Sequence, residues 1–257
     1  MSTEELEIEA AGPVRILRIN RPHARNALSL GLRQRIAAAL QEADSDGTAR
    51  AVVITGGPDV FSVGGDIKEF GRFSSSREAA LESQRVWRTM PFLTIPIIAA
   101  VEGLALGGGA ELALHADILI AGSTAQFGFP EVGLGILPGN GGTQRFPRIV
   151  GKQLAMRYLL TGERFTADQA VSMGIACEVV PAGSALERAC ALATTIATLP
   201  PLAVRRIKDV VLNGADLPLA PALALERNGY LTLQQTSDHA EAARAFAEKR
   251  TPRFSGC

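Results

Sequence analysis

A glycine triplet followed by two carboxylates is the feature of this sequence that most clearly suggests chemistry. Gly107-Gly108-Gly109 precede Ala110-Glu111, and Glu131 follows twenty residues later. Backbone N–H groups at the start of a helix have no partner within the helix and can polarise a carbonyl group. Carboxylates in apolar surroundings are suited to proton transfer. The pattern therefore suggests a carbonyl-binding site beside a pair of acids.

Each carboxylate also has a structural interpretation. Glu111 lies in the apolar segment Ala110–Leu114, where an unpaired carboxylate is costly to bury, and a helical i,i+4 pair with His115 would satisfy it. Glu131 follows Phe127–Pro130, and a loop carboxylate there can bind backbone N–H groups. The sequence alone leaves both interpretations open for each residue.

A second glycine cluster precedes the first. Gly64-Gly65-Asp66 follow the strand-like run Ala51–Thr55 and its Gly56–Pro58 turn. A strand, a glycine turn and a helix present N–H groups where the helix dipole favours negative charge. N–H groups at Gly65 and Gly108 would together hold one developing oxyanion. The alternative is a pair of tight turns whose glycines permit close packing.

The elements that must position these residues follow an alternating pattern. Short β-branched runs alternate with helical segments: Val14–Ile19, Ala51–Thr55, Ile97–Val101 and Asp117–Ala121. Alternation of this kind predicts an α/β fold with largely buried strands. Leu32, Ile36, Ala39 and Leu40 form a helical stripe between the first two runs.

Beyond about residue 150 the sequence predicts successive helices. A capping box is expected at Thr166–Gln169, and a helix from Pro200-Pro201 to a C-cap at Gly214. The latter helix carries an apolar face of Val204, Ile207 and Val211. Asp238–Glu241 is expected to cap a last helix.

Composition excludes several classes of function. The 26 basic and 26 acidic residues balance, and no basic run indicates nucleic acid or an anionic membrane as a partner. Glu102, Glu111 and Asp117 interrupt the apolar region 95–121, so no membrane span is expected. The acidic N-terminus and three scattered cysteines predict a reduced, cytoplasmic protein.

Cofactor motifs are not complete in this chain. Gly133–Gly139 does not have the spacing of a dinucleotide-binding loop, and Gln153 after Gly151-Lys152 rules out a P-loop. No GxSxG nucleophile motif is present. The three histidines (His23, His115 and His239) are too scattered to favour a metal site. The sequence therefore predicts neither a metal nor a nucleotide-type redox cofactor.

Ordered motifs extend over nearly the whole chain: Asn20–Pro22, Asn26–Leu28, Phe61–Glu69, Ala105–Leu112, Ala125–Gly128, Pro130-Glu131, Pro138-Gly139, Gly141–Arg145, Ala245-Phe246 and Glu248–Arg250. In this order they resemble the enoyl-CoA hydratase/isomerase (crotonase) superfamily. The resemblance implies an α/β fold with a crotonase-like spiral of ββα units over residues 1–195. It also implies a C-terminal helical region over residues 196–257 that drives assembly into a homotrimer or homohexamer.

The resemblance also implies a site and a reaction. The thioester oxygen of an acyl-CoA would lie between the backbone N–H groups of Gly65 and Gly108. Glu111 would act as base for attack of water on the β-carbon, Glu131 would supply the proton to the α-carbon, and the backbone of Gly139 would help to seat the water. The implied activity is hydration of a 2-enoyl-CoA to a 3-hydroxyacyl-CoA, or the reverse, by a carbon–oxygen lyase.

Further residues are implied to bind the substrate, whose coenzyme A is the only cofactor-like group expected. Positions near the acyl group and near the coenzyme A are Val63, Asp66, Ile67, Phe129, Arg25, Lys68 and Lys249. Trp87 and Met90 are additional candidates for the acyl pocket, with core packing as their alternative role.

Three positions depart from the pattern that is usual in hydratases. Phe129 occupies a position that is often glutamine, and Val63 and Gly65 occupy positions that are commonly alanine. Phe129 leaves open other reactions of the superfamily, namely isomerisation, dehydration of a specialised hydroxyacyl-CoA and C–C cleavage. A binding protein without turnover is the remaining alternative, and the two glutamates count against it.

Overall fold

The computed structural model describes residues 4–69 and 87–257, and the elements below belong to that part of the chain. Its strands are β1 (Leu6–Ala11), β2 (Val14–Ile19), β3 (Ala51–Thr55), β4 (Val60–Ser62), β5 (Ile97–Val101), β6 (Leu104–Leu106), β7 (Ile118–Gly122), β8 (Gln126–Gly128), β9 (Arg164–Thr166) and β10 (Glu178–Val180). Its helices are α1 (Leu30–Ser45), α2 (Gly108–His115), α3 (Gly142–Val150), α4 (Lys152–Thr161), α5 (Ala167–Ser172), α6 (Ala185–Ala197), α7 (Pro201–Gly214), α8 (Leu219–Leu233) and α9 (Ser237–Glu248).

The strands form two sheets. The larger sheet has the order β1-β2-β3-β5-β7-β10 and is parallel except for the β1–β2 hairpin. The smaller sheet has the order β4-β6-β8-β9, with β9 antiparallel. Each of β3, β5 and β7 is followed within a few residues by a short strand of the smaller sheet. Successive turns of the chain therefore add one strand to each sheet.

Both faces of the larger sheet are covered, which explains why its central strands are continuous apolar runs. All five residues of β3 and of β5 are buried. On one face lie α1 and the main core. On the other face, α6 presents Ala185, Ala189 and Ala193 at helical spacing to the strands, and small side chains allow this close packing.

The α/β prediction is confirmed, and the predicted strand bounds need little correction. β2, β3 and β5 have the predicted residues, whereas the fourth predicted strand is shifted by one residue to Ile118–Gly122. The capping box of Thr166 and Gln169 is present at the start of α5. The stripe of α1 is buried as predicted.

Two predicted helix ends were wrong. Gly214 is the last residue of α7, and its C-cap is Ala215. Thr236 caps α9 by accepting a hydrogen bond from the backbone of His239. Asp238 instead accepts hydrogen bonds from the backbone of Ser255 and Gly256, so it holds the C-terminal tail against α9.

The C-terminal helices expose apolar side chains in the single chain. Ile207 and Val211 on the predicted face of α7 are 63% and 62% exposed. The division at residues 195 and 196 stays a prediction, and it falls near the end of α6 at Ala197. No helix of the described ranges is both long and apolar enough to cross a bilayer.

Candidate active site

The loop that contains Gly64 and Gly65 is held in place by hydrogen bonds from the chain around Asn26. The backbone N–H of Leu28 donates to the carbonyl oxygen of Gly64 at 2.7 Å. Ser62 Oγ donates to the carbonyl of Asn26 at 2.8 Å and accepts from the Gly64 N–H at 3.2 Å. The loop after β4 therefore has a fixed course before the helical residues 67–69 begin.

An ion pair secures the residue after this loop. Both terminal nitrogens of the Arg21 guanidinium lie 3.2 Å from Asp66 Oδ2, and Arg21 also donates to the carbonyl of Ala27 at 2.6 Å. Asp66 Oδ1 accepts the backbone N–H of Lys68 at 3.1 Å. The Asp66 carboxylate is thus occupied by contacts within the chain.

The glycine triplet brings α2 into direct contact with this loop. A Cβ on Gly109 would lie 2.2 Å from the carbonyl oxygen of Ser62, so only glycine permits this approach. A Cβ on Gly64 would lie 2.8 Å from the backbone nitrogen of Gly108. The two glycine clusters that the sequence predicted to cooperate are therefore adjacent.

The N–H groups of Gly65 and Gly108 are neighbours. A Cβ on Gly108 would lie 3.5 Å from the backbone nitrogen of Gly65. Neither N–H donates a hydrogen bond to any residue within the described ranges, and Gly108 begins α2, where N–H groups lack helical partners. The two N–H groups are adjacent donors of the kind that an oxyanion-binding site requires.

Glu111 is buried in α2 and accepts three hydrogen bonds. The residue is only 1% exposed. Oε1 accepts the backbone N–H groups of Asn140, at 2.7 Å, and Gly142, at 2.9 Å. Oε2 accepts Nδ2–H of the Asn140 side chain at 2.9 Å. These contacts replace the i,i+4 pair with His115 that the sequence left open.

Glu131 lies in a very different environment. It belongs to a short 3-10 helix, Pro130–Leu134, directly after β8, and it is 9% exposed. Its Oε2 is buried without a hydrogen-bond partner in the described part of the chain. Burial raises the pKa of Glu131 to about 7, and the nearby Glu111 carboxylate adds to the effect, which a backbone hydrogen bond opposes. This carboxyl can carry a proton at neutral pH.

His115 lies one helical turn after Glu111 and contacts the loop that contains Asn140. Its Nε2 is 3.0 Å from the carbonyl oxygen of Asn140, and its ring centroid is 5.6 Å from that of Trp87. Burial and the neighbouring Arg145 guanidinium lower the pKa of His115 to about 4, although the contact with the Asn140 carbonyl opposes this. The imidazole is neutral at pH 7, and its Nε2–H donates to that carbonyl.

The predicted acyl-pocket residues differ in exposure. Phe129 is 1% exposed, and its ring packs against Phe146 with the centroids 5.0 Å apart. A Cβ on Gly142 would lie 3.1 Å from Phe129 Cε1 and 3.1 Å from Glu111 Oε1, so the ring lies behind the carboxylate site. Trp87 and Met90 are buried in the main core. Val63 is half-buried beside the loop.

The remaining predicted residues lie at the surface. Ile67 is 67% exposed, and Arg25, Lys68 and Lys249 are exposed cations. Arg25 and Lys249 have positive φ angles of 50° and 54°. Gly139 is exposed immediately before Asn140, in the loop between the 3-10 helix and α3. Residues 4–69 and 87–257 contain no group of three or more potential metal ligands.

Sequence reasoning found the four central residues but missed Asn140. Gly65 follows β4, Gly108 and Glu111 lie in α2, and Glu131 lies in the 3-10 helix. The close approaches of Gly108 to Gly65 and of Gly107 to Glu131 bring these segments together. Asn140 went unnoticed because a polar residue between glycines is typical of any turn. Its position in Gly139-Asn140-Gly141 would have been a signal only if the loop were known to face Glu111.

Comparison with known proteins identifies the family to which this chain belongs. The family model for enoyl-CoA hydratase/isomerase matches residues 9–256, so the chain belongs to the enoyl-CoA hydratase/isomerase family. The 2,3-dehydroadipyl-CoA hydratase of Escherichia coli K12 is 40% identical, covering 98% of this chain and 99% of its own. The short-chain-enoyl-CoA hydratase of Clostridium acetobutylicum is 37% identical and covers 97% of each.

A solved structure agrees with these sequence matches. The enoyl-CoA hydratase of Bacillus anthracis is 35% identical, with a TM-score of 0.94 over 99% of this chain and 100% of its own. The crotonase-like fold is confirmed, as is the assignment to an enzyme of the hydratase type.

Proposed function

We propose that this enzyme adds water across the double bond of a 2-enoyl-CoA to form a 3-hydroxyacyl-CoA, and catalyses the reverse elimination. The observation that carries the proposal is the pair Glu111 and Glu131, in contrasting environments, beside two backbone N–H groups that have no hydrogen-bond partner in the described part of the chain. The names of the relatives, several of them hydratases of enoyl-CoA substrates, support it.

The N–H groups of Gly65 and Gly108 bind the thioester oxygen. Two hydrogen bonds draw electron density towards this oxygen, so the β-carbon becomes more electrophilic. The charge on the oxygen grows as water attacks, and donors already in position stabilise the enolate more than the ground state. Removal of one such donor in other enzymes costs about 10²–10³ in kcat.

The two glutamates divide the proton transfers. Glu111 takes a proton from the water as its oxygen bonds to the β-carbon, and the carbon–carbon double bond shifts to the enolate. Glu131, which can hold a proton near pH 7, delivers it to the α-carbon, and the thioester carbonyl forms again. The substrate gains one OH and one H. A proton then moves from Glu111 to Glu131 to restore the starting state.

Surface groups complete the proposal. The exposed cations Arg25, Lys68 and Lys249 are proposed to bind phosphates of coenzyme A, Val63 and Ile67 to contact the substrate, and the Gly139 backbone to seat the water. Asp66 contributes by holding the Gly65 loop through Arg21.

The exposed apolar residues of α7 and α8 support assembly into a trimer or hexamer. Acid–base catalysis of this kind requires no metal or further cofactor.

Product analysis in labelled water tests the reaction directly. The enzyme is incubated with crotonyl-CoA in H₂¹⁸O, and in parallel with the 3-enoyl isomer, and the products are identified by mass spectrometry. The proposal predicts 3-hydroxybutyryl-CoA with one ¹⁸O in its hydroxyl group. Conversion of the 3-enoyl substrate without ¹⁸O incorporation from crotonyl-CoA would identify an isomerase instead. Binding of both substrates without product would identify a non-catalytic protein.

A further inference from the structure

The hydrogen bonds to Glu111 are distributed unequally between its two oxygens. Oε1 accepts two backbone N–H groups, from Asn140 and Gly142. Oε2 accepts only one hydrogen bond among the described residues, from the side-chain amide of Asn140. A carboxylate oxygen has about two lone-pair sites, so Oε1 is saturated and Oε2 keeps one site open.

The amide of Asn140 therefore restrains the carboxylate oxygen that the backbone donors do not contact. The two backbone N–H groups hold Oε1, but neither of them bonds to Oε2. A third bond, to Oε2, fixes the plane of the carboxylate and the direction of the remaining lone pair. The terminal torsion of glutamate is otherwise broad, so this constraint is not supplied by the rotamer itself.

The carbonyl group of Asn140 is in turn held by a hydrogen bond from α2. The Nε2–H of His115 donates to the Asn140 carbonyl at 3.0 Å, and His115 lies on the same helix as Glu111, four residues later. One helix thus carries both the carboxylate and the group that fixes the loop opposite to it. Glu131 Oε2, by contrast, has no partner within the described residues.

We propose that Asn140 is a positioning residue that orients Glu111, so that the open lone pair of Oε2 faces the reacting water. The proposal rests on the proposed hydration and deepens it. It assigns Oε2 as the oxygen that takes the proton from water. Preorganisation of this kind acts on the chemical step rather than on substrate binding.

Three variants separate the amide from the backbone contacts. Asn140→Ala removes the bond to Oε2 and keeps the backbone N–H to Oε1. Asn140→Asp keeps the shape but places a carboxyl beside Glu111, which repels it when ionised and can donate an O–H when protonated. Asn213→Ala is the matched control, because Asn213 Nδ2 also donates to a carboxylate, Asp209 Oδ1 at 2.7 Å, at an exposed position.

The kinetic test measures kcat and KM for crotonyl-CoA between pH 5 and pH 8. Asn140→Ala should lower kcat on the order of tenfold to a hundredfold, the range for a hydrogen bond to a charged group, with KM within about threefold. Asn140→Asp should lose more at pH 8 and recover relative to wild type as the pH falls. A merely structural role would lower both variants by a pH-independent factor, and that result, or unchanged kcat, would overturn the proposal.

An infrared test does not depend on turnover. The carboxylate band of Glu111 is isolated as the difference between wild type and Glu111→Gln, both labelled with ¹³C-glutamate. Asn140→Ala should shift this band, and Asn213→Ala should not. An unshifted band in Asn140→Ala would overturn the positioning role. If wild type hydrates no enoyl-CoA but the band shifts, the proposed function fails while the contact between Asn140 and Glu111 stands.

Discussion

The backbone of Gly107 lies directly against the carboxylate of Glu131: a Cβ on this glycine would lie 3.0 Å from Oε1. Gly107 also has a φ of 51°, a conformation that favours glycine. The residue that turns the chain into α2 is thus also the residue that makes room for the Glu131 carboxylate. The glycine triplet and Glu131 form one site even though they are distant in the sequence.

Replacement of Glu131 should stabilise the fold while it removes activity. The pKa of this carboxyl rises from 4.5 to about 7 on folding, so the folded state loses stability as the pH rises from 4.5 to 7. The full penalty above pH 7 is roughly 3 kcal/mol. Glu131→Gln should therefore raise Tm at pH 8 and have little effect at pH 4.5. Exposed Glu42→Gln is the control, and a Glu131→Gln variant less stable than wild type at pH 8 would contradict the account.

The pH dependence of the reaction should follow from the same carboxyl. In the proposed mechanism Glu131 holds the proton that goes to the α-carbon, and this carboxyl loses its proton as the pH rises through about 7. We expect kcat/KM for crotonyl-CoA to fall above this pH. Hydration releases no net proton, so kcat/KM for dehydration of 3-hydroxybutyryl-CoA must show the same profile. Activity that keeps rising through pH 9 would argue against Glu131 as proton donor.

A methyl group at Gly108 should block the oxyanion site without disturbing the fold. Its nearest contacts would be the nitrogen of Gly65 at 3.5 Å and Cα of Gly64 at 3.6 Å, which are ordinary packing distances. The methyl would occupy the space that the thioester oxygen needs, so Gly108→Ala should lower kcat/KM by about 10² or more with an unchanged Tm. Gly31→Ala, where a Cβ meets no atom within 4 Å, is the control. Full activity in Gly108→Ala would place the carbonyl elsewhere.

His115 should make the fold sensitive to acid. Its pKa falls from 6.5 to about 4 on folding, so its contribution is present above pH 6.5 and is lost as the pH falls towards 4. The full effect is roughly 3 kcal/mol. The fall in Tm between pH 7 and pH 4.5 should be smaller in His115→Gln than in wild type. Exposed His239→Gln should retain the wild-type fall, and equal falls in all three proteins would contradict a neutral buried imidazole.

Periodic patterns allowed much of the large sheet to be predicted, but not the small one. β3 and β5 are long enough, and buried enough on both faces, to appear as apolar runs. β4, β6, β8 and β9 have three residues each, which is too short for a period. Their positions depend on pairing with strands far along the chain. The short strands β4, β6 and β8 nevertheless lead directly into the segments that contain Gly65, Gly108 and Glu131.

Local chemistry also explains which details of the site escaped prediction. Glu111 and Glu131 could be identified as unusual because each is a carboxylate in apolar sequence. The difference between their environments could not be predicted. Glu111 accepts hydrogen bonds from Asn140 in a loop that is remote in the sequence, whereas Glu131 Oε2 has no partner among the described residues. The predicted cap of α9 was wrong for a similar reason. Asp238 is a good capping residue, but the tail residues Ser255 and Gly256 occupy its oxygens.

The central claim is that the two glutamates act together on water, and one measurement tests it most directly. The loss of the conjugated enoyl-thioester absorbance of crotonyl-CoA is recorded for wild type, Glu111→Gln and Glu131→Gln, with Tm as the check on folding. Each variant should lose about 10²–10⁴ in kcat, the usual range for a general acid or base. Near-wild-type hydration by either folded variant would contradict the two-glutamate mechanism.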